Sequence, residues 1–229
     1  MALILSIESA TSICSVALHQ NGFFLGLIEL NQENVHAKKL ILLIESLFKN
    51  LGFKTKDLDA VAVSSGPGSY TGLRIGVSIA KGLAYAHDIP LIGVDTLRAL
   101  AHQVIPICSD GDFIIPLMDA RRMEIYMSIL SSKGEIVESS KPLIVEDNPF
   151  LEYLQNGKVY FLGDGVEKLK RILDHPNAVF SNILNSSRSM GELAFDKYQK
   201  SEFESLAYFE PNYLKEFRVI ASKKNPLII

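Results

Sequence analysis

The residues Ser64-Ser65-Gly66-Pro67-Gly68-Ser69-Tyr70-Thr71-Gly72 carry the clearest chemical potential in this chain. They follow an apolar run, Ala60-Val61-Ala62-Val63, that reads as a buried strand. They precede Leu73 to His87, which reads as a helix because it holds no proline. A strand, a glycine-rich turn and a helix in that order aim unpaired helix N–H groups forward, where an anion can be held. The spacing Gly66, Gly68, Gly72 is not that of a P-loop, and no Gly-Lys-Ser/Thr follows. It is not G-x-G-x-x-G either. Two readings stand: a phosphate cradle, or a tight turn with a purely structural role.

Other chemistry is sparse. A metal site needs clustered ligands, and no two of His19, His36, His87, His102 and His175 lie three to five residues apart. Each histidine is expected at the surface or at a helix end. A serine nucleophile at Ser69 would want G-x-S-x-G, which Gly66-Pro67-Gly68-Ser69-Tyr70 does not supply. Neither a catalytic residue nor a metal ligand is therefore expected. Asp119, Arg121, Arg122 and Glu124 cluster on a turn between two strands and read as an exposed hairpin with local ion pairs. Lys215, Arg218, Lys223 and Lys224 make the C-terminus basic and read as a solvated tail, since a few cations bind nucleic acid only weakly.

The elements that position these residues follow from pattern. Leu3 to Ser9, Ile13 to His19 and Phe23 to Glu29 read as three strands, and Asn21-Gly22 is a two-residue hairpin turn. Asn34 can cap a helix through Phe48 that stops near Gly52. Its five consecutive apolar residues, 40 to 44, span more than a turn, so some must face away from the parent sheet. Leu40, Leu43, Ile44 and Leu47 form one stripe, and Ile41 and Phe48 share the next. Sequence leaves open which stripe faces a partner. In the later helix Gly72, Gly76, Ala80 and Ala84 make a ridge of small side chains. Helical glycine costs roughly 1 kcal/mol relative to alanine, so close backbone contact is expected there, with its own sheet or with a second subunit.

Leu91 to Val94 reads as a strand and Thr96 to Ile105 as a helix. Three antiparallel strands followed by alternating helices and strands is the order of one ribonuclease H-like lobe. After Cys108 the order begins again: strands Phe113 to Met118 and Met123 to Leu130, a turn at Ser132-Lys133-Gly134, and a strand from Glu135. Phe150 to Gln155 and Val166 to Asp174 read as helices around the strand Val159 to Leu162. A final helix runs from a serine cap at Ser186 to Lys200. The expected division is residues 1–108 and 109–229.

The 229 residues, 48% apolar, suffice for such a two-lobe α/β fold. A net charge of −3 gives no general attraction to nucleic acid. Cys14 and Cys108 are too few for a disulfide framework, which favours a reducing compartment. The first apolar run is short, lacks a basic leader and meets Glu8, so no secretory leader is expected. No stretch reaches the roughly 20 apolar residues of a membrane span. A cytoplasmic protein is expected.

The block Ser65-Gly-Pro-Gly-Ser-Tyr-Thr-Gly-Leu-Arg-Ile-Gly76 closely resembles the TsaB (YeaZ) family of bacterial tRNA-modification proteins. So do the opening Ile7 to Leu18, the segment Asp119 to Tyr126, and Glu210-Pro-Asn-Tyr-Leu-Lys215, in the family's order along nearly the whole chain. The resemblance implies a degenerate, two-lobe actin-like (ASKHA, ribonuclease H-like) fold. It implies an accessory, non-catalytic partner of the paralogue TsaD, with the ATPase TsaE joining them. That assembly transfers a threonylcarbamoyl group to N6 of adenosine 37 in tRNAs that read codons starting with A. The expected partner surface uses the two N-lobe helices through Leu40, Leu43, Ile44, Leu47, Gly72, Gly76, Ile79, Ala80 and Leu83, beside the loop Gly66, Pro67, Gly68, Ser69, Tyr70 and Thr71. A homodimer through the same surface is expected when the chain is alone, with tRNA met only through the complex, no membrane and no cofactor. Glu8 departs from the related actin-like ATPases, which carry aspartate in the first phosphate loop. The rival readings are an ATP-dependent small-molecule kinase of that superfamily and a metallopeptidase-like protein, a label attached through the TsaD branch. The H-x-x-x-H pair of that branch is missing here.

Overall fold

A computed structural model describes residues 1–32 and 34–215. The first sheet opens with β1 (Leu3–Glu8), β2 (Ile13–Gln20) and β3 (Phe23–Asn31), paired antiparallel. Asn21 and Gly22 both take positive φ, 52° and 83°, as their hairpin turn requires. Helix α1 (His36–Leu51) leads to β4 (Ala60–Ser64), α2 (Tyr70–His87), β5 (Leu91–Val94) and α3 (Thr96–His102). β4 pairs parallel with β1, and β5 parallel with β4, so the order is β3-β2-β1-β4-β5.

The second sheet repeats this plan. It contains β6 (Phe113–Asp119), β7 (Glu124–Ser131), β8 (Ile136–Ile144), β9 (Val159–Leu162) and β10 (Ala178–Ser181), in the order β10-β9-β6-β7-β8. Two antiparallel pairings are again followed by two parallel ones. Short helices α4 (Leu151–Asn156) and α5 (Val166–Leu169) link its later strands, and α6 (Gly191–Gln199) follows. Two sheets of identical topology form the two-lobe actin-like α/β fold that the element order predicts.

β1 and β4 are buried along their whole lengths because helices cover both faces of their sheet. On one face α1 and α2 seal a core of Leu5, Ile7, Val16, Leu18, Val61 and Val63. On the other face Met190 and Ala194 pack on Ile4, Ala60, Ala62 and Ile92. Helix α6, which follows the second sheet in sequence, therefore packs on the first sheet. The second lobe has its own aromatic core, with Phe161 5.3 Å from both Phe150 and Phe180.

Local departures have local causes. Asn34 has φ 58°, and α1 begins after Val35 with no side-chain cap, so the expected asparagine cap is not made. Gly52 does close α1, left-handed at φ 75°. The segment after Ser186 splits into a 3-10 turn, Ser187–Met190, and α6. There the chain bends to reach the first sheet. Helix α3 stops at His102, and α5 is one turn long. β10 was not signalled, being four half-buried residues at a sheet edge. Arg218, Lys223 and Lys224 lie outside the described residues.

Candidate functional site

The glycine loop leaves β4 and enters α2 where the expectation put it. Several of its N–H groups, however, are engaged by the chain itself. Gly66 N–H donates to Thr96 Oγ1 (3.1 Å), Ser69 N–H to the Ala10 carbonyl (2.6 Å), and Gly72 N–H to Ser69 Oγ (3.3 Å). Leu73 N–H bonds the Ser69 carbonyl (2.9 Å). Ser69 is the N-cap of α2, one of the residue types that favour this position. These bonds brace the loop from within the chain, which supports the tight-turn reading. Gly68 needs its missing side chain, because a Cβ there would stand 2.6 Å from that of Ala10.

Above the loop runs a strap, residues 204–215. Glu204 N–H bonds the Leu91 carbonyl (2.8 Å) and Asn212 N–H the Ser65 carbonyl (2.7 Å). Gly66 has φ 104°, and a Cβ on it would meet the Asn212 carbonyl at 2.5 Å. Tyr213 packs against Tyr70, ring centroids 4.9 Å apart. Lys215 then pairs with Glu124 of the second lobe. Ala10, Leu73, Leu97 and Met118 form an apolar cluster with Tyr126 and Tyr213 between the lobes. In open α/β sheets a ligand binds at the carboxyl ends of the parallel strands. Here the chain's own side chains and strap occupy that place.

Glu8 ends β1 beside this cluster and is fully buried. Its Oε1 accepts from Ala10 N–H (2.7 Å), while Oε2 meets no partner. Burial, which penalises the charged form, raises its pKa to about 7 against partial relief from that hydrogen bond. The hairpin's carboxylates are ion-paired, but to distant lysines and not locally as expected: Lys168 holds Asp119 at 2.8 Å and Lys215 pairs with Glu124. Asp164 accepts from Asp119 N–H, and among the described residues Arg121 and Arg122 make no ion pair.

The histidines divide. His102 bonds Glu192 at 2.9 Å near a helix end. His36, though buried, opens α1 at a helix end as expected, whereas His19 is buried within β2, contrary to expectation. His19 lies between Ser6 Oγ (3.2 Å) and the Arg188 carbonyl (3.1 Å), and burial lowers its pKa. His36 Nε2 bonds the Ile13 carbonyl (3.1 Å). Both are satisfied core histidines.

The helix pair carries the main correction. Leu40, Leu43, Ile44 and Leu47, expected toward a partner, pack with Phe48 into the core of their own lobe. The outward apolar residues of α1 are Ile41, 57% exposed, and Leu42, 51%. The small-residue ridge also faces inward. A Cβ on Gly72 would overlap the Ser9 carbonyl, and one on Gly76 would overlap Ser9 Oγ. Ala80 and Ala84 are fully buried. Ile79 and Leu83 sit at the margin, partly buried against the same core. Gly82 and Tyr85 lie on the exposed side of α2, and Gly82 has open space around it. Ile41 lies on the second stripe that the sequence left open as an alternative, while Leu42, Arg74 and the strap's grip on the loop were not singled out from sequence. A run of apolar residues shows that two helix faces are apolar, not which one is inward.

Among the described residues no helix is long and apolar enough to cross a membrane. The family model described as TsaD, tRNA N6-adenosine threonylcarbamoyltransferase, matches residues 25–224. The tRNA threonylcarbamoyladenosine biosynthesis protein TsaB of Haemophilus influenzae is 30% identical, over 93% of each chain. TsaB of Escherichia coli is 29% identical over 97% of this chain and 98% of that one. The solved structure of YeaZ from Pseudomonas aeruginosa superposes with a TM-score of 0.78 at 25% identity, covering 93% of this chain and all of that one. With relatives of the same length throughout and a transferase model spanning most of its residues, the chain belongs to the TsaB (YeaZ) family of tRNA threonylcarbamoyladenosine biosynthesis proteins.

Proposed function

We propose that this chain is a non-catalytic subunit that supports a TsaD-family transferase, which moves a threonylcarbamoyl group to N6 of adenosine 37 in tRNAs reading codons that start with A. The observation that carries the reading is the outer face of α1. Its inner stripe already seals the lobe, yet Ile41 and Leu42 remain more than half exposed on consecutive positions. Large apolar side chains gathered outside a finished core mark a protein contact. The likeness to the TsaD model argues for a partner of related fold. The packed cluster between the lobes supports the accessory role, because Leu73, Met118 and Tyr126 close the end of the first sheet at which an open α/β sheet binds ligand.

In this reading the subunit acts by binding, and the bond-making groups belong to the partner. TsaE joins as a further component, the chain pairs with itself through the same face when alone, and the assembly works in the cytoplasm. The test is to co-express the chain with the same organism's TsaD homologue and isolate the pair. Stable co-purification, with product formed by the assembly and none by this chain alone, is the expected result. Steady product formation by the isolated chain overturns it.

A further inference from the structure

The strap does more than cover the glycine loop: it fixes one cation on the outer side of α2. The Arg74 guanidinium lies 4.2 Å over the Tyr70 ring. Its Nε donates to Tyr213 Oη (3.3 Å), a residue 139 positions away. Tyr213 is itself held by packing on Tyr70 and by the neighbouring Asn212–Ser65 bond. Stacking and the Nε bond restrain this exposed side chain, and among the described residues its two terminal nitrogens make no hydrogen bond. Among the described residues Arg74 makes no ion pair.

An open groove of about 230 Å³ lies between α2 and the strap, lined by Arg74, Ser78, Lys81, Glu210, Pro211 and Tyr213 among others. Arg74, Ser78 and Lys81 recur at i, i+4 and i+7, so they share one side of the helix. The Tyr213 hydrogen bond, and to a lesser degree the nearby Glu210 carboxylate, favour the charged form of Arg74. Two cations against one carboxylate leave the groove net positive.

The geometry points to Arg74 as the receptor for an acidic side chain of the partner protein, with Tyr213 as the residue that positions it. This rests on the partner reading above and adds the chemistry by which that partner is recognised. A guanidinium held flat presents two parallel N–H donors matched to a carboxylate, and a lysine cannot copy that fork. Arginine is also among the residues that dominate interface energetics, and holding it beforehand removes ordering cost at binding. Charge complementarity therefore selects a carboxylate on the facing surface.

The test measures binding of the full-length chain to the same organism's TsaD homologue, without nucleotide, at two salt concentrations. Arg74→Ala should weaken association about tenfold or more and flatten its salt dependence. Arg74→Lys should recover little of the loss. Tyr213→Phe, which keeps the ring and removes the hydroxyl, should weaken binding less than Arg74→Ala without changing the melting temperature. Ile41→Asp serves as the control for the partner reading. If Ile41→Asp abolishes binding and Arg74→Ala binds like wild type, the arginine inference is overturned and the partner reading stands. If wild type itself does not bind the TsaD homologue, the partner reading falls and takes the inference with it. If wild type and both variants bind alike, the partner reading stands and both the α1 face and the arginine are overturned as its contacts. If Arg74→Ala is defective only when ATP or ADP is added, the anion is a phosphate and the carboxylate assignment is overturned.

Discussion

A buried carboxyl group at the end of β1 contributes a pH dependence to the stability of this protein. Burial raises the pKa of Glu8 from its ordinary 4.5 to about 7 in the folded chain. The folded state therefore holds that proton more tightly than the unfolded chain does. Below pH 4.5 Glu8 is neutral in both states and there is no penalty. As pH rises from 4.5 through 7 the unfolded chain loses its proton first, and stability falls. The loss approaches about 3 kcal/mol above pH 7, on the scale of about 1.4 kcal/mol per unit. Glu8→Gln keeps an acceptor for Ala10 N–H and cannot ionise. Urea denaturation should show the variant more stable than wild type at pH 8, with the advantage gone near pH 4.5. An advantage of the same size at both pH values would mean that the gain is packing rather than charge. The adjoining Cys14 does not compete in this range, since burial pushes its thiol up to about 11.

At the scale of elements, α2 contains glycines of opposite consequence. Gly76 lies against Ser9, so Gly76→Leu must displace the β1–β2 turn. Overpacking of this kind costs about 1–3 kcal/mol, and for a chain of this size each kcal/mol lowers Tm by roughly 2–4 °C. Gly82 is exposed with nothing near its missing side chain, so Gly82→Ala should raise stability by about 0.5–1 kcal/mol. Paired thermal melts check both signs. Helix α1 should split in the same way. Leu43→Asp puts a charge into the core of the lobe and should prevent folding, whereas Ile41→Asp and Leu42→Asp should give folded protein that no longer binds its partner. Circular dichroism with a pull-down separates the classes. Unfolding by Ile41→Asp would remove this face from consideration as an interface.

At the scale of the molecule, the two sheets are separate in sequence but their coverings are not. Ile4, Ala60, Ala62 and Ile92 on the far face of the first sheet are covered by Met190 and Ala194. A fragment of residues 1–108 would expose that face while keeping the α1–α2 face sealed. It should be poorly soluble, or compact without a cooperative melt, despite containing a whole sheet. A fragment melting as cooperatively as the full chain would show that the last helix is dispensable. The strap closes the same circuit, running from β5 past the glycine loop to Glu124 in the second lobe.

The sequence by itself determined the parts whose causes are local. Asn21-Gly22 demands a hairpin, because two adjacent residues that tolerate positive φ can make that turn. The apolar runs set the strands, their repeated order set the two-lobe plan, and the glycine block with the segments around it pointed to the family. What only the tertiary structure decided is orientation and long-range contact. Helical periodicity fixes the angles between Leu40, Ile41, Leu43 and Ile44, but not the rotation of α1 about its axis. That rotation is set by which stripe fits the sheet, and the fit placed Leu40, Leu43, Ile44 and Leu47 inside. The ridge of Gly72 and Gly76 carries the same ambiguity: small residues signal a close approach without naming the neighbour, which is Ser9 of the same chain. The meeting of Arg74 with Tyr213 spans 139 residues and leaves no periodic trace, because it depends on where folding brings the end of the chain.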